Sequence, residues 1–178
     1  KNMRATAAFS VHHDVDKYMT ETAIPFYRTM WSANEKQFRD FGGDYKHDLF
    51  FSGVVRKEQT GNLREKVLAH HVSLKGELGN FINARTADTN FSGKMFGDEE
   101  YARHLSDSKL CFVTTGPADL VGTRFFEVFA ACRSLIICNR MNEKVYEDWI
   151  IDGVNCVMFS TVDEFYEKAQ YYLDHEDE

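Results

Sequence analysis

Only 2 of the 178 residues are proline and only 11 are glycine, which excludes collagen-like and linker-type compositions. No apolar run approaches the roughly 18 to 20 residues that span a bilayer. The N-terminus likewise lacks a basic stretch leading into an apolar segment and a small-residue cleavage site. Basic charge is in deficit: 21 Lys and Arg stand against 28 Asp and Glu, a net charge of −7. A general nucleic-acid binder carries the opposite balance, so nucleic acid is not an expected partner. Cys111, Cys132, Cys138 and Cys156 form no C-x-x-C pair and sit in apolar segments, so reduced thiols in a cytoplasmic protein are expected. The patterns G-x-x-x-x-G-K-S/T, G-x-G-x-x-G and G-x-S-x-G are absent, leaving P-loop, dinucleotide-fingerprint and hydrolase-elbow sites without support. The chain opens at Lys1, not Met, which suggests processing or a piece of a longer polypeptide.

What is present is apolar and aromatic: 43% hydrophobic and 14% aromatic residues, enough to exclude disorder. The length suits one domain with an appendage. Up to residue 46 the pattern is irregular, with a strand candidate over Ala7 to Val11, a polar helix candidate over Asp14 to Glu21, and a turn at Gly42-Gly43-Asp44. From residue 47 strands and helices alternate. Strands are expected over 48–55, 109–114, 134–138 and 155–159, with a further candidate over 71–75. Helices are expected over 62–69, 98–105, 122–133, 142–151 and 162–173. Thr161 with Glu164 three residues on forms a capping box for the last helix. Continuous apolar strands, each followed by a helix, indicate a Rossmann-like, doubly wound parallel α/β sheet covered on both faces. Ligands of such sheets bind beyond the carboxyl ends of the strands. That rule selects Ser52 to Thr60, Thr114 to Thr123 and Asn139 to Glu143.

The segment Ser108 to Glu127 carries the most information. A buried strand feeds a loop containing Gly116 and Asp119, and the loop feeds a helix opening at Gly122-Thr123. Thr123 is the expected N-cap, and the free amides of such a helix end suit a phosphate or carboxylate. Arg124 and Glu127, at i and i+3, share one face of a helix that is otherwise almost wholly apolar. A carboxylate there needs a partner. Either Glu127 favours the positive helix end or pairs with Arg124, or it serves a ligand.

From Tyr101 to Leu173 the chain resembles the nucleotide-sugar-binding half of GT-B glycosyltransferases. The resemblance is closest to the group-1 type found in spore-maturation-like proteins, with exostosin-type transferases as second choice. It rests on Ser108-Lys109, Gly116, Arg124-Phe-Phe-Glu127-Val-Phe-Ala-Ala131, Leu135 to Cys138, and Asp163-Glu164-Phe165 to Tyr172-Leu173. Upstream, Asp48-Leu-Phe-Phe-Ser-Gly53 followed by Arg64 is similar to the family's opening strand, glycine and arginine, which extends the likeness to about residues 46 to 173. The chain departs from the family where a glycine is usual, at Cys132 or Arg133.

The resemblance implies that Glu127 bonds the ribose hydroxyls of a donor nucleotide. It also implies that Asp119, eight residues earlier, stands where relatives place a second acid against the donor sugar; as a plain loop residue Asp119 is equally explained. The Gly122-Thr123 helix end, with Arg124, Arg56 and Lys57, is implied as the diphosphate site. Neither metal nor separate cofactor is implied, only a nucleoside-diphosphate sugar as donor substrate and a glycan, protein or other acceptor. Residues 1–46 are expected to be the tail of an acceptor domain and 47–178 the donor domain. A non-catalytic nucleotide-sugar-binding or interaction module is the alternative. Two other signals are set aside. Asp14-Val15-Asp16 has the form of a D-x-D metal motif but reads as a helix start, and the pairs His12-His13 and His70-His71 on strands would point to opposite faces.

Overall fold

The computed structural model describes residues 5–55, 63–64, 66–67, 83–86, 96–115, 120–141, 144 and 149–178. Its centre is a four-stranded parallel sheet of β3 (His47–Phe50), β6 (Ser108–Val113), β7 (Leu135–Asn139) and β8 (Val157–Phe159), in that spatial order. Side chains alternate across it. Phe50, Cys111, Val113, Ile136, Cys138 and Met158 enter one core. Leu49, Phe51, Leu110, Phe112, Ile137 and Phe159 enter the other. Both faces are buried, which is why the strands read as unbroken apolar runs with no polar alternation.

Helices α2 (Asp98–Ser106) and α3 (Thr123–Ala131) cover the first face through Ala102, Leu105, Phe125, Val128 and Ala131. Helix α4 (Val162–Asp174) and the helical residues around Leu63 and Val67 cover the second, through Phe165, Ala169 and Val67. The expected Rossmann-like α/β sheet with helices on both faces is the observed architecture.

Two boundaries differ from expectation. The run 48–55 is not one strand: it breaks at Phe51, where the ladder to β6 ends and β4 (Ser52–Val55) pairs instead with β5 (Asn83–Thr86). Hydrophobicity cannot report such a change of partner, because both halves are apolar. The helix expected over 142–151 does not reach its end, since Trp149 to Ile151 form a turn fixed by the Asn155 side chain. The strand candidate at 71–75 lies outside the described residues.

The capping box of α4 forms. Thr161 Oγ1 accepts from the Glu164 amide at 3.1 Å, while the Glu164 carboxylate reaches back to the Ser160 amide at 2.7 Å, one residue earlier than in the usual reciprocal pair. Thr161→Ala is expected to cost about 1 kcal/mol in urea unfolding, the usual worth of such a cap.

The N-terminal segment is more ordered than its sequence suggests. Helix α1 (Val15–Thr22) joins β1 (Ala8–Ser10) to β2 (Phe26–Arg28), and the two strands pair in parallel. Beyond them, Phe38 is buried in the first core with Ala33 and Phe41 against it. The Phe41 amide donates to Ser106 Oγ at 3.0 Å, and Arg133 donates to the Gly43 carbonyl at 2.7 Å. Trp31, earlier in the same segment, stands near Ser52 and Thr114 at the sheet's carboxyl end.

Candidate functional site

Helix α3 begins where the crevice rule directs attention, and its sequence sets which side chains face the crevice. Phe125, Val128 and Ala131, at i, i+3 and i+6, bury one stripe in the first core. That rotation leaves Arg124 and Glu127 on a neighbouring stripe, lining a cleft of about 570 Å³. Ser52, Thr114, Gly122 and Thr123 form its sheet end, and Arg64, Tyr101, Trp31 and Phe96 complete its walls.

The N-cap of α3 is Gly122, not Thr123. Gly122 holds the extended conformation (φ −87°, ψ 175°) that an N-cap needs, and Thr123 is already the first helical residue. Among the described residues no side chain caps this end, so the first-turn amides have no side-chain acceptor of the usual kind there. At the other end Cys132 adopts a left-handed conformation (φ 58°), the geometry that glycine serves in most helix terminations. The departure from the family's glycine thus falls on a residue whose backbone still performs the glycine turn.

Two guanidinium groups converge on the cleft. The Arg64 Nε donates to Thr114 Oγ1 at 2.9 Å, its Nη2 bonds the same hydroxyl, and its plane lies 5.5 Å over the Phe51 ring. Burial, with the Arg124 charge second, lowers its pKa to about 10. The Arg124 Nε is buried and has no hydrogen-bond partner among the described residues. A Cβ on Gly53 would stand 3.0 Å from Phe51 Cζ and 3.3 Å from Arg124 Nη1, so a side chain there would displace one or the other. Two like charges held together out of water are unfavourable alone and become favourable when an anion shares them.

Glu127 does not pair with Arg124: the two form no ion pair among the described residues. Its Oε2 instead accepts a 2.8 Å hydrogen bond from the Tyr101 hydroxyl on α2. Burial first, then the Glu127 charge, push the Tyr101 pKa well above its ordinary value, so the phenol keeps its proton and donates it. Of the readings of Glu127 open in the sequence, the ion pair with Arg124 is not formed among the described residues, and the carboxylate lines the cleft.

Of the expected site residues, Gly122, Thr123, Arg124 and Glu127 are brought together. Gly116, Asp119, Arg56 and Lys57 lie outside the described residues. Ser52, Arg64, Tyr101 and Thr114, like Trp31, Phe96 and Asp98, line the cleft without an assigned role in the sequence. Ser52 and Thr114 fall within the segments that the crevice rule selects, and Arg64 within the family likeness. Tyr101 also falls within the family likeness, but nothing in the sequence gives it a role there, because its partner lies 26 residues away on another helix. The third selected segment acts indirectly, since the Asn139 side chain receives the Thr115 amide at 2.9 Å and donates to Thr115 Oγ1 at 3.0 Å, fixing the loop after β6.

The histidine pair His12-His13 also departs from expectation. It lies beyond β1, in a bend, and the rings stack at 4.5 Å with 17° between planes. With Asp14 they place three possible ligand atoms within 4.8 Å of one another. His12 Nδ1, however, accepts the Asp14 amide at 3.1 Å, so the proton of the neutral ring is on Nε2 and blocks ligation there. Asp14 is the N-cap residue of α1, though its side chain makes no capping bond.

A family model described as glycosyl transferase-like matches residues 60–178, a span that contains Arg64, Tyr101, Arg124 and Glu127. No curated protein matches the chain. No helix among the described residues is long and apolar enough to cross a membrane.

Proposed function

The chain belongs to the glycosyl transferase-like family, and on that premise we propose that it is the donor-binding half of a GT-B-type enzyme that transfers a sugar from a nucleoside-diphosphate sugar. The observation that carries this reading is the convergence of Arg64 and Arg124 at the uncapped start of α3, with the Glu127 carboxylate one turn further along the same helix. The arrangement is polarised as a nucleotide diphosphate requires. Cations and amides can take the phosphates, and an acceptor-only carboxylate can take ribose hydroxyls.

In the proposed reaction the bond between the anomeric carbon and the diphosphate breaks, and negative charge grows on the departing phosphate oxygen. Preorganised guanidinium groups and helix amides stabilise that charge without reorganising water. The reading therefore gives the leaving group to the protein's own cations and needs no metal for it. Arg56, Lys57 and Asp119 are proposed as further donor contacts. The acceptor and the base that takes its proton are assigned to a second domain, with residues 1–46 as its connection, as GT-B architecture divides the labour. The spore-maturation-like subtype and a cytoplasmic setting belong to the same reading, the latter resting on four free thiols.

A thermal-shift panel of UDP, GDP, ADP, TDP and their sugar conjugates tests it. At 100 times its dissociation constant a ligand adds about 2.7 kcal/mol of stability, equivalent to several degrees in a chain of this size. One nucleotide series should raise Tm in the wild type and fail to do so in Glu127→Ala. Equal shifts in both proteins would remove Glu127 from the site, and no shift for any nucleotide would remove the donor-site reading for this chain.

A further inference from the structure

Tyr101 is absent from the expected site, yet it makes the only hydrogen bond to Glu127 found among the described residues. We infer that Tyr101 is a positioning residue that turns Glu127 into a reader of ribose, so that the cleft selects ribonucleoside diphosphates over their 2′-deoxy counterparts. The inference rests on the donor-site reading above and adds a specificity to it.

The argument begins with the carboxylate. An ionised Glu has two equivalent oxygens and three rotatable bonds, and on a half-buried helix face it could present either oxygen in several directions. The 2.8 Å bond from Tyr101 removes that freedom by committing Oε2. Tyr101 cannot itself wander. Its ring packs edge-on against Phe38 at 6.0 Å and against Phe50 at 6.2 Å, one from the N-terminal segment and one from the sheet. The phenol also keeps its proton, since burial and the Glu127 charge both oppose ionisation. Oε1 therefore remains as an oriented acceptor of a carboxylate that lines the cleft and has no donor function.

Such a group rewards hydrogen-bond donors on the ligand, and on the sugar of a nucleotide the donors are hydroxyls. A ribose offers two adjacent O–H donors, and a 2′-deoxyribose offers one. Losing a hydroxyl that bonds a fixed charged acceptor costs more than losing one that bonds a mobile group, because a mobile carboxylate can turn to the hydroxyl that remains or to water. Discrimination at this position thus depends on Tyr101 as much as on Glu127, although only Glu127 touches the ligand.

The test uses isothermal titration of the whole chain with UDP, GDP and ADP and with dUDP, dGDP and dADP, in wild type, Tyr101→Phe and Glu127→Gln. The wild type should bind one ribonucleotide about tenfold or more tightly than its deoxy form, the worth of one charge-assisted hydrogen bond. In Tyr101→Phe the ratio should fall towards unity, while affinity for the deoxy form stays within about threefold of wild type, because the diphosphate contacts are intact. A protein merely loosened by the substitution would lose both nucleotides in proportion and keep the ratio. A wild-type ratio that survives unchanged in Tyr101→Phe overturns the inference and leaves the donor site standing. Absence of any nucleotide binding in the wild type overturns the donor site and this inference together.

Discussion

Arg124→Met is expected to weaken nucleoside-diphosphate binding by about a hundredfold or more while leaving the unliganded protein as stable as the wild type or slightly more so. The two effects have one cause. Arg124 holds a cation beside the Arg64 cation, with a buried Nε that has no hydrogen-bond partner among the described residues. In the empty cleft this half-buried side chain faces the like charge of Arg64, so replacing it with an apolar chain of similar length relieves an unfavourable arrangement. In the liganded cleft the same guanidinium would supply two charge-assisted hydrogen bonds to phosphate oxygens. At about 1.5 kcal/mol or more for each bond, their loss amounts to roughly two powers of ten in affinity. Titration calorimetry with the nucleotide identified by the thermal panel measures the first effect, and unliganded thermal unfolding measures the second. Affinity within threefold of wild type would show that the anion is bound elsewhere.

The largest loss of stability is expected at Phe165, on the opposite face of the sheet. Its ring is fully buried on α4, 5.1 Å from Phe112 of β6 and 4.9 Å from Phe159 of β8 between ring centroids. It thus joins a helix to the two strands that flank β7, and no small displacement of α4 can fill the space it leaves. Phe165→Ala should cost about 3 to 5 kcal/mol, combining lost transfer energy with the cavity. For a chain of this size each kcal/mol moves Tm by about 2 to 4 °C, so a fall on the order of 10 °C is expected by scanning calorimetry. A fall below about 3 °C would mean that the second core is not packed as described. The contrast with Arg124 separates the two roles: one residue carries ligand affinity with no stability of its own, the other stability with no part in the cleft.

Much of this molecule was legible from its residues. Apolar runs such as Leu110 to Val113 and Leu135 to Cys138, each coupled to a helix, can be satisfied only by a sheet buried on both faces. The capping box at Thr161 and Glu164 fixed a helix start by local hydrogen bonding alone. Arg124 and Glu127 were placed on one helix face by their three-residue spacing, since that periodicity is a property of the backbone and not of its surroundings.

Other features depended on what the elements meet. The partner of Glu127 is a tyrosine 26 residues away, brought within reach because α2 and α3 lie against the same face of the sheet. Spacing on α3 suggested Arg124 instead, and only packing decides between a neighbour on the helix and one across it. The exchange of partners at Phe51 is of the same kind: the residues on either side are equally fit for a strand, and which strand each pairs with depends on the position of β6 and β5. Arg64 enters the cleft where it bonds the Thr114 hydroxyl, just beyond the end of β6 and 50 residues away in sequence. Local periodicity and capping are written into the chain, because they involve residues a few positions apart. The cleft's chemistry is not, because each of its bonds joins segments that only the folded sheet brings together.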